Sequence, residues 1–66
     1  MRAHTLVRGE RLSMGDLVDL VERLTIHGSI TFEECEIWNW DNALIPIDAR
    51  NRVTVRRSTI YGGDEP

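Results

Sequence analysis

Residues 30–39 read Ile-Thr-Phe-Glu-Glu-Cys-Glu-Ile-Trp-Asn, and residues 53–62 read Val-Thr-Val-Arg-Arg-Ser-Thr-Ile-Tyr-Gly. The two stretches align without gaps, so that Ile30 matches Val53 and every later position follows in step. Each stretch has apolar residues on both sides of a threonine, then a pair of like charges, and later an isoleucine followed by an aromatic residue. β-branched and aromatic side chains favour strands. The sequence therefore predicts an internal repeat made of β-structure.

The apolar positions in each copy change phase at the charged pair. In the first copy, Ile30 and Phe32 are separated by one residue, as are Cys35 and Ile37, but two residues separate Phe32 from Cys35. Successive side chains of a strand point to opposite faces, so a continuous flat strand cannot bury all four. Each copy is therefore predicted to contain a bulge or a corner near its charged pair.

The clearest helical pattern lies between the N-terminal segment and the first copy of the repeat. Ser13 precedes Asp16 by three residues, which is a variant of the capping box. Apolar residues then follow at helical spacing, at Leu17, Leu20, Val21 and Leu24. A helix is predicted from about Met14 to Thr25, and Gly28 is predicted to end it as a left-handed C-cap. Upstream, residues 4–8 predict a short strand that ends at a turn at Gly9.

Two arrangements of the repeat remain open. In the favoured one, segments 30–38, 43–48 and 52–61 form an antiparallel meander. The predicted fold class is then α+β, with one amphipathic helix packed on a small, mostly antiparallel β-sheet. Pro46 lacks a main-chain donor, so the middle segment is predicted to be an edge strand or irregular.

In the alternative arrangement, the two copies stack in register as neighbouring turns of a β-rich coil. Over residues 28–62, the repeated order of apolar, charged and aromatic residues resembles two turns of a right-handed parallel β-helix of the pectate-lyase-like kind. Stacking would set Glu33 and Glu34 beside Arg56 and Arg57, and Cys35 beside Ser58. The resemblance also implies assembly with copies of the chain or with a larger partner, because two turns leave open edges. It implies no carbohydrate-cleaving activity, since no catalytic motif of that family is present.

Length and charge exclude several classes of protein. A chain of 66 residues supports one domain, predicted over residues 1–61 with a disordered tail at 62–66. The net charge of -3 disfavours generic nucleic-acid binding. Cys35 is the single cysteine, so no internal disulfide forms, and no apolar run has the length of a membrane span. The N-terminus also lacks the pattern of a signal peptide, and a cytoplasmic location is predicted.

The sequence contains no recognisable catalytic or ligand-binding motif. It has no Gly-rich phosphate loop, no paired-cysteine metal site and no metalloprotease helix motif. The spacing of His4, His27 and Cys35 fits no known set of metal ligands, and Cys35 is predicted to be a buried thiol. We therefore predict a protein that is not an enzyme, with no catalytic residues, no metal and no cofactor.

Recognition is the function that remains. The predicted partner-binding residues are the aromatic residues Trp38, Trp40 and Tyr61, the turn residue Asp41, and the arginines Arg50, Arg52, Arg56 and Arg57. Exposed tryptophan beside charged residues is typical of interface hot spots. The prediction is a small interaction module, such as an inhibitor, adaptor or assembly subunit, which binds a larger protein or itself as a homo-oligomer. The alternative is a nucleic-acid-binding regulator that uses an arginine-lined strand.

Overall fold

The described part of the fold consists of short strands, one α-helix and two 3-10 helices. The computed structural model describes residues 3–64. Its strands are β1 (Ala3–Arg8), β2 (Arg11–Ser13), β3 (Gly28–Glu33), β4 (Glu36–Trp38), β5 (Val53–Arg56) and β6 (Thr59–Ile60). The α-helix, α1, is Met14–Leu24, and the 3-10 helices are Asn42–Leu44 and Ile47–Arg52.

The strands form two three-stranded sheets, with the orders β1-β3-β5 and β2-β4-β6, and every pair is parallel. The prediction of a mostly antiparallel sheet is therefore wrong. Each strand of a sheet lies beside the matching part of the next turn of the chain, as Thr5 lies beside Ile30 and Ile30 beside Val53. The chain thus forms three stacked coils, which we call coil 1 (residues 3–27), coil 2 (residues 28–52) and coil 3 (residues 53–64). The arrangement fits the stacked-coil alternative.

The internal repeat and its corner are both present. Ile30 lies beside Val53 and Glu36 beside Thr59, which is the register predicted by the alignment of the two copies. The strands of each coil are separated by a residue with positive φ, at Gly9 (71°), Glu34 (54°) and Arg57 (51°). Residues other than glycine rarely adopt this conformation, because it costs them roughly 1–2 kcal/mol each. Its recurrence at equivalent positions shows that the phase change is a corner that recurs in every coil.

The core is centred on coil 2. Ile30, Phe32 and Ile37 are fully buried, and Cys35 is buried beside them. Helix α1 covers this row with Met14, Leu17 and Val21, which are also buried. The corresponding residues of the outer coils pack against the core but are partly exposed. They are Val7, Leu12, Val53 and Val55. Coil 2 is therefore covered by its neighbours, whereas coils 1 and 3 each have a less protected side.

Helix α1 begins as the capping pattern predicts. The Asp16 amide donates to Ser13 Oγ at 3.2 Å, so Ser13 is the N-cap. The helix ends at Leu24, followed by Thr25, whose hydroxyl donates to the Val21 carbonyl at 2.6 Å. The prediction that Gly28 is a left-handed C-cap is wrong, because its φ is not positive. Gly28 opens β3, and a Cβ atom there would collide with the carbonyl oxygen of Ala3.

The segment between β4 and β5 contains no strand, so the predicted middle strand of the meander, 43–48, is absent. Two 3-10 helices occupy this part of coil 2, in the place that α1 takes in coil 1. Pro46 precedes the second of them, where its missing N–H breaks no ladder bond. Within the predicted tail, the Gly63 carbonyl accepts a hydrogen bond from the Asn39 amide at 2.9 Å. Residues 65 and 66 of that tail lie outside the described residues.

Candidate interaction surface

Two of the predicted aromatic residues form a stack on neighbouring coils. The rings of Trp38 and Tyr61 are 5.3 Å apart between centroids and inclined by 7°. The guanidinium of Arg11 also lies over the Trp38 ring, 4.9 Å from its centre. Trp38 is 2% exposed, whereas Tyr61 is partly exposed. In this conformation Tyr61, and not Trp38, offers a surface to a partner.

The hydroxyl of Tyr61 is tied to a charged pair. It donates to Glu36 Oε1 at 3.2 Å, and Arg11 Nε lies 3.4 Å from Glu36 Oε2. The hydrogen bond to Glu36 raises the pKa of Tyr61 above its ordinary value of 10.0. Burial and the negative charge of Glu36 act in the same direction, and Arg11 opposes them. The stack and this charged pair therefore hold coils 1, 2 and 3 together along one column.

This contact predicts a shifted titration of the single tyrosine. In the native protein, ultraviolet absorbance should show Tyr61 ionising above pH 10.0, and Glu36→Gln should move the midpoint back toward that value. The folded state holds the phenol proton more tightly than the unfolded chain does. The contact therefore stabilises the fold below the ordinary pKa, and its contribution is lost as pH rises through the raised pKa. An unchanged midpoint in Glu36→Gln would contradict the assigned contact.

Three of the four predicted arginines bind groups of the protein itself. Arg50 donates to the Ile45 and Asn42 carbonyls, both at 3.4 Å. Arg52 donates to the Thr25 carbonyl at 2.8 Å and so ties coil 2 to the end of α1. Arg56 Nη2 lies 3.2 Å from Glu33 Oε1. The arginine cluster is therefore partly structural.

Charges alternate in sign along the corner of the stack. Arg8, Glu33 and Arg56 are aligned on β1, β3 and β5. The Glu33 carboxylate pairs with Arg56, and Glu34 pairs with Arg8 at 3.0 Å. Within residues 3–64, no carboxylate pairs with Arg57. The corner of coil 3 thus carries two guanidinium groups, one of which has an acidic neighbour.

An apolar cleft opens beside β5. It encloses about 230 Å³ and is lined by Trp40, Asn42, Ile45, Arg50, Val53 and Val55. The main-chain amide of Trp40 donates to the Tyr61 carbonyl at 3.0 Å, and this bond holds Trp40 against coil 3. Asp41 Oδ1 accepts from the Ala43 amide at 3.0 Å, so Asp41 caps the first 3-10 helix at the rim. The cleft is smaller than the roughly 300–1,000 Å³ of typical small-molecule pockets.

Strand β5 forms the edge of its sheet beside this cleft. It pairs with β3 on one side, and within the described chain no strand lies on the other. The valines Val53 and Val55 point inward with Ile30 and Phe32, yet they are partly exposed where Ile30 and Phe32 are fully buried. The edge, the cleft and the arginine corner together form what we call the β5 surface.

Several residues of this region were not predicted from the sequence. Arg11 belongs to β2, a short strand that runs directly into α1. The sequence does contain a signal for this strand. Val7, Gly9 and Leu12 have the same spacing as Phe32, Glu34 and Ile37. The coil that contains the first three residues lies beside the coil that contains the other three. The valines of β5 belong to the recognised repeat, but their exposure depends on what lies beside the strand.

Within the described residues, Cys35 and His4 contact main-chain carbonyls and hydroxyl groups of the protein. Cys35 is 1% exposed, and its thiol lies 3.4 Å from the Glu33 carbonyl and 3.5 Å from the Val7 carbonyl. His4 contacts the hydroxyls of Ser29 and Thr31 on the neighbouring strand, at 2.7 and 3.1 Å. In residues 3–64, no three side chains of histidine, cysteine, aspartate or glutamate are grouped so that they could hold a metal ion.

Comparisons of the chain with protein-family models, curated proteins and solved structures find no match. In the part of the chain that the structure describes, no helix is long and apolar enough to cross a membrane.

Proposed function

We propose that this chain is a non-enzymatic protein-interaction module that binds another polypeptide at its β5 surface. One observation carries the proposal, namely that inward-facing Val53 and Val55 lie partly exposed at an unpaired strand edge beside an apolar cleft. An adaptor, an inhibitor or an assembly subunit would use such a surface. The proposal includes a cytoplasmic setting, which suits a chain whose single cysteine is a free thiol.

An unpaired edge supports binding of a polypeptide because its main-chain groups need partners. Half of the N–H and C=O groups of an edge strand point away from the sheet and can bind an added strand. The side chains of that strand would then cover the exposed valines. Burial of apolar surface contributes roughly 25 cal/mol per Å², so covering the valines and the cleft favours binding. A small ligand would leave the main-chain groups of the edge unused.

The internal bonds of the arginines favour a protein partner over a nucleic acid. Arg50 and Arg52 already donate to main-chain carbonyls of the protein, so binding phosphates would break these bonds. The net charge of -3 also opposes a polyanion. Nucleic-acid binding would show a steep loss of affinity with salt, which gives a simple way to recognise it.

The proposal is tested by photocrosslinking from the two edges of the same sheet. Thr54 on β5 and Leu6 on β1 are both exposed and belong to one column, aligned through Thr31. A photoreactive amino acid is placed at either position in the full chain, expressed in the cells that produce it. We expect crosslinks to a defined protein, or to a second copy, from position 54 and far fewer from position 6. Equal crosslinking from both positions, none from position 54, or crosslinks to nucleic acid would overturn the proposal.

A further inference from the structure

We infer that the β5 surface binds an extended acidic segment of a partner protein, added parallel to β5, with two adjacent carboxylates beside Arg56 and Arg57. This inference rests on the proposed function and specifies the chemistry of the partner. It follows from the order of charges in the stack, from the direction of the strands and from the shape of the cleft.

The order of charges defines the first requirement. Across the stack the corner positions run from Arg8 to Glu33 to Arg56, so each charge has the opposite sign on the next coil. A strand added beyond β5 therefore meets arginines at two consecutive positions. Arg57 has no acidic partner among residues 3–64, and the exposed guanidinium of Arg56 can bind a second carboxylate besides Glu33. Opposite charges on adjacent strands stabilise pairing, and like charges oppose it.

The direction and the apolar pattern follow from β3, which lies on the other side of β5. Both sheets are parallel throughout, so a strand added in the same direction continues the register. In β3, Ile30 and Phe32 cover Val53 and Val55, and the glutamates follow directly at the corner. An occupant of the open side needs the same pattern, with apolar residues at alternate positions and then two acidic residues. Its apolar side chains would enter the cleft beside Trp40 and Ile45.

Charge also argues against a second copy stacked end to end. Such stacking would place β1 of the next molecule beside β5, in the continued register. Arg8 of that molecule would then lie next to Arg56, and Gly9 next to Arg57. Two guanidinium groups would repel each other, and Arg57 would still lack a carboxylate. A separate acidic segment satisfies the surface better than the N-terminal edge of another copy does.

The chain itself supplies the probe for this inference. A synthetic peptide with the sequence of residues 28–37, carrying Cys35→Ser, has the required pattern and contains no tryptophan. Its binding to the full chain is followed by tryptophan fluorescence, since Trp40 lines the cleft. We expect saturable binding, and a peptide with Glu33→Arg and Glu34→Arg should bind at least about tenfold more weakly.

Charge exchange provides the decisive comparison. Arg57→Glu removes no bond within the described chain, so it should leave the fold intact and weaken binding of the acidic peptide by about tenfold. The peptide with reversed charges should regain affinity for this variant. The matched control is Arg23→Glu on α1, which makes the same charge change on an exposed residue far from β5 in sequence. It should leave peptide binding within about twofold.

The outcomes separate this inference from the proposed function. If position 54 crosslinks a protein and the acidic peptide competes with it, both are supported. If position 54 crosslinks a protein but the peptide neither binds nor competes, the acidic-segment inference fails and the interaction module stands. If the peptide binds equally well with reversed charges, or is displaced by an oligonucleotide with steep salt dependence, the inference is overturned. If no protein is crosslinked, the proposed function fails.

Discussion

Replacing Gly28 with alanine is expected to lower the free energy of unfolding by about 2–3 kcal/mol, because the added methyl group has no room. Gly28 lies beside Ala3 in the first pair of parallel strands, and its Cβ would collide with the main-chain carbonyl of Ala3. A main-chain atom cannot move aside as the end of a flexible side chain can, so β1 must shift away from β3. Urea denaturation followed by tryptophan fluorescence measures the loss.

Two further glycine variants make this result specific. Gly62→Ala adds the same methyl group where no atom beyond its chain neighbours lies within 4 Å, and it should change stability by less than about 0.5 kcal/mol. Gly28→Asn distinguishes the two roles considered for this residue. Asparagine is tolerated in a left-handed C-cap, but it should be at least as damaging as alanine where β1 passes close by. Wild-type stability in Gly28→Asn would contradict the close packing of β1 on β3.

Phe32→Ala is expected to have the largest effect on stability, with a loss of about 3–5 kcal/mol. Phe32 is fully buried at the centre of coil 2, between Val7 on β1 and Val55 on β5. Its removal leaves a cavity lined by all three coils. Natural domains are stable by roughly 5–15 kcal/mol, and small domains lie near the lower limit. Much of the variant should therefore be unfolded at room temperature, as shown by circular dichroism and thermal melting.

The control for this prediction lies on the same sheet but faces outward. Leu6 is 53% exposed, and Leu6→Ala should change stability by no more than about 0.5 kcal/mol. If Leu6→Ala costs as much as Phe32→Ala, the assignment of inward and outward faces is wrong. A cooperative melt of Phe32→Ala near that of the native protein would also contradict the described core.

Local patterns predicted the helix and the repeat but did not reveal the direction of the strands. Ser13 and the apolar spacing defined α1, because capping and periodicity are properties of neighbouring residues. The alignment of the two copies predicted the register of β3 with β5. The similarity of the two copies does not depend on whether they lie parallel or antiparallel. The apolar residues around Pro46 led to the prediction of a connecting strand between them. That run forms 3-10 helices, so the chain returns to begin β5 in the same direction as β3.

The candidate surface was harder to predict because it depends on which side chains lie uncovered. Trp38 and Tyr61 hold matching positions of the repeat and lie side by side, but the sequence pattern did not show that Trp38 would be buried. The four arginines were recognised as a cluster, while their bonds to carbonyls such as that of Thr25 depend on packing between coils. Val55 became part of the surface because β5 is an edge, and no local pattern encodes an edge.

The measurement that tests the account most directly is a nuclear Overhauser spectrum of the isotopically labelled chain, read for contacts between methyl groups of different strands. The β5 surface exists only if the coils are stacked in parallel. That stacking predicts contacts from Thr31 to both Leu6 and Thr54, and a contact between Ile37 and Ile60. Contacts that instead pair the start of β3 with the end of β6, such as Ile30 with Ile60, would show an antiparallel sheet and contradict the account.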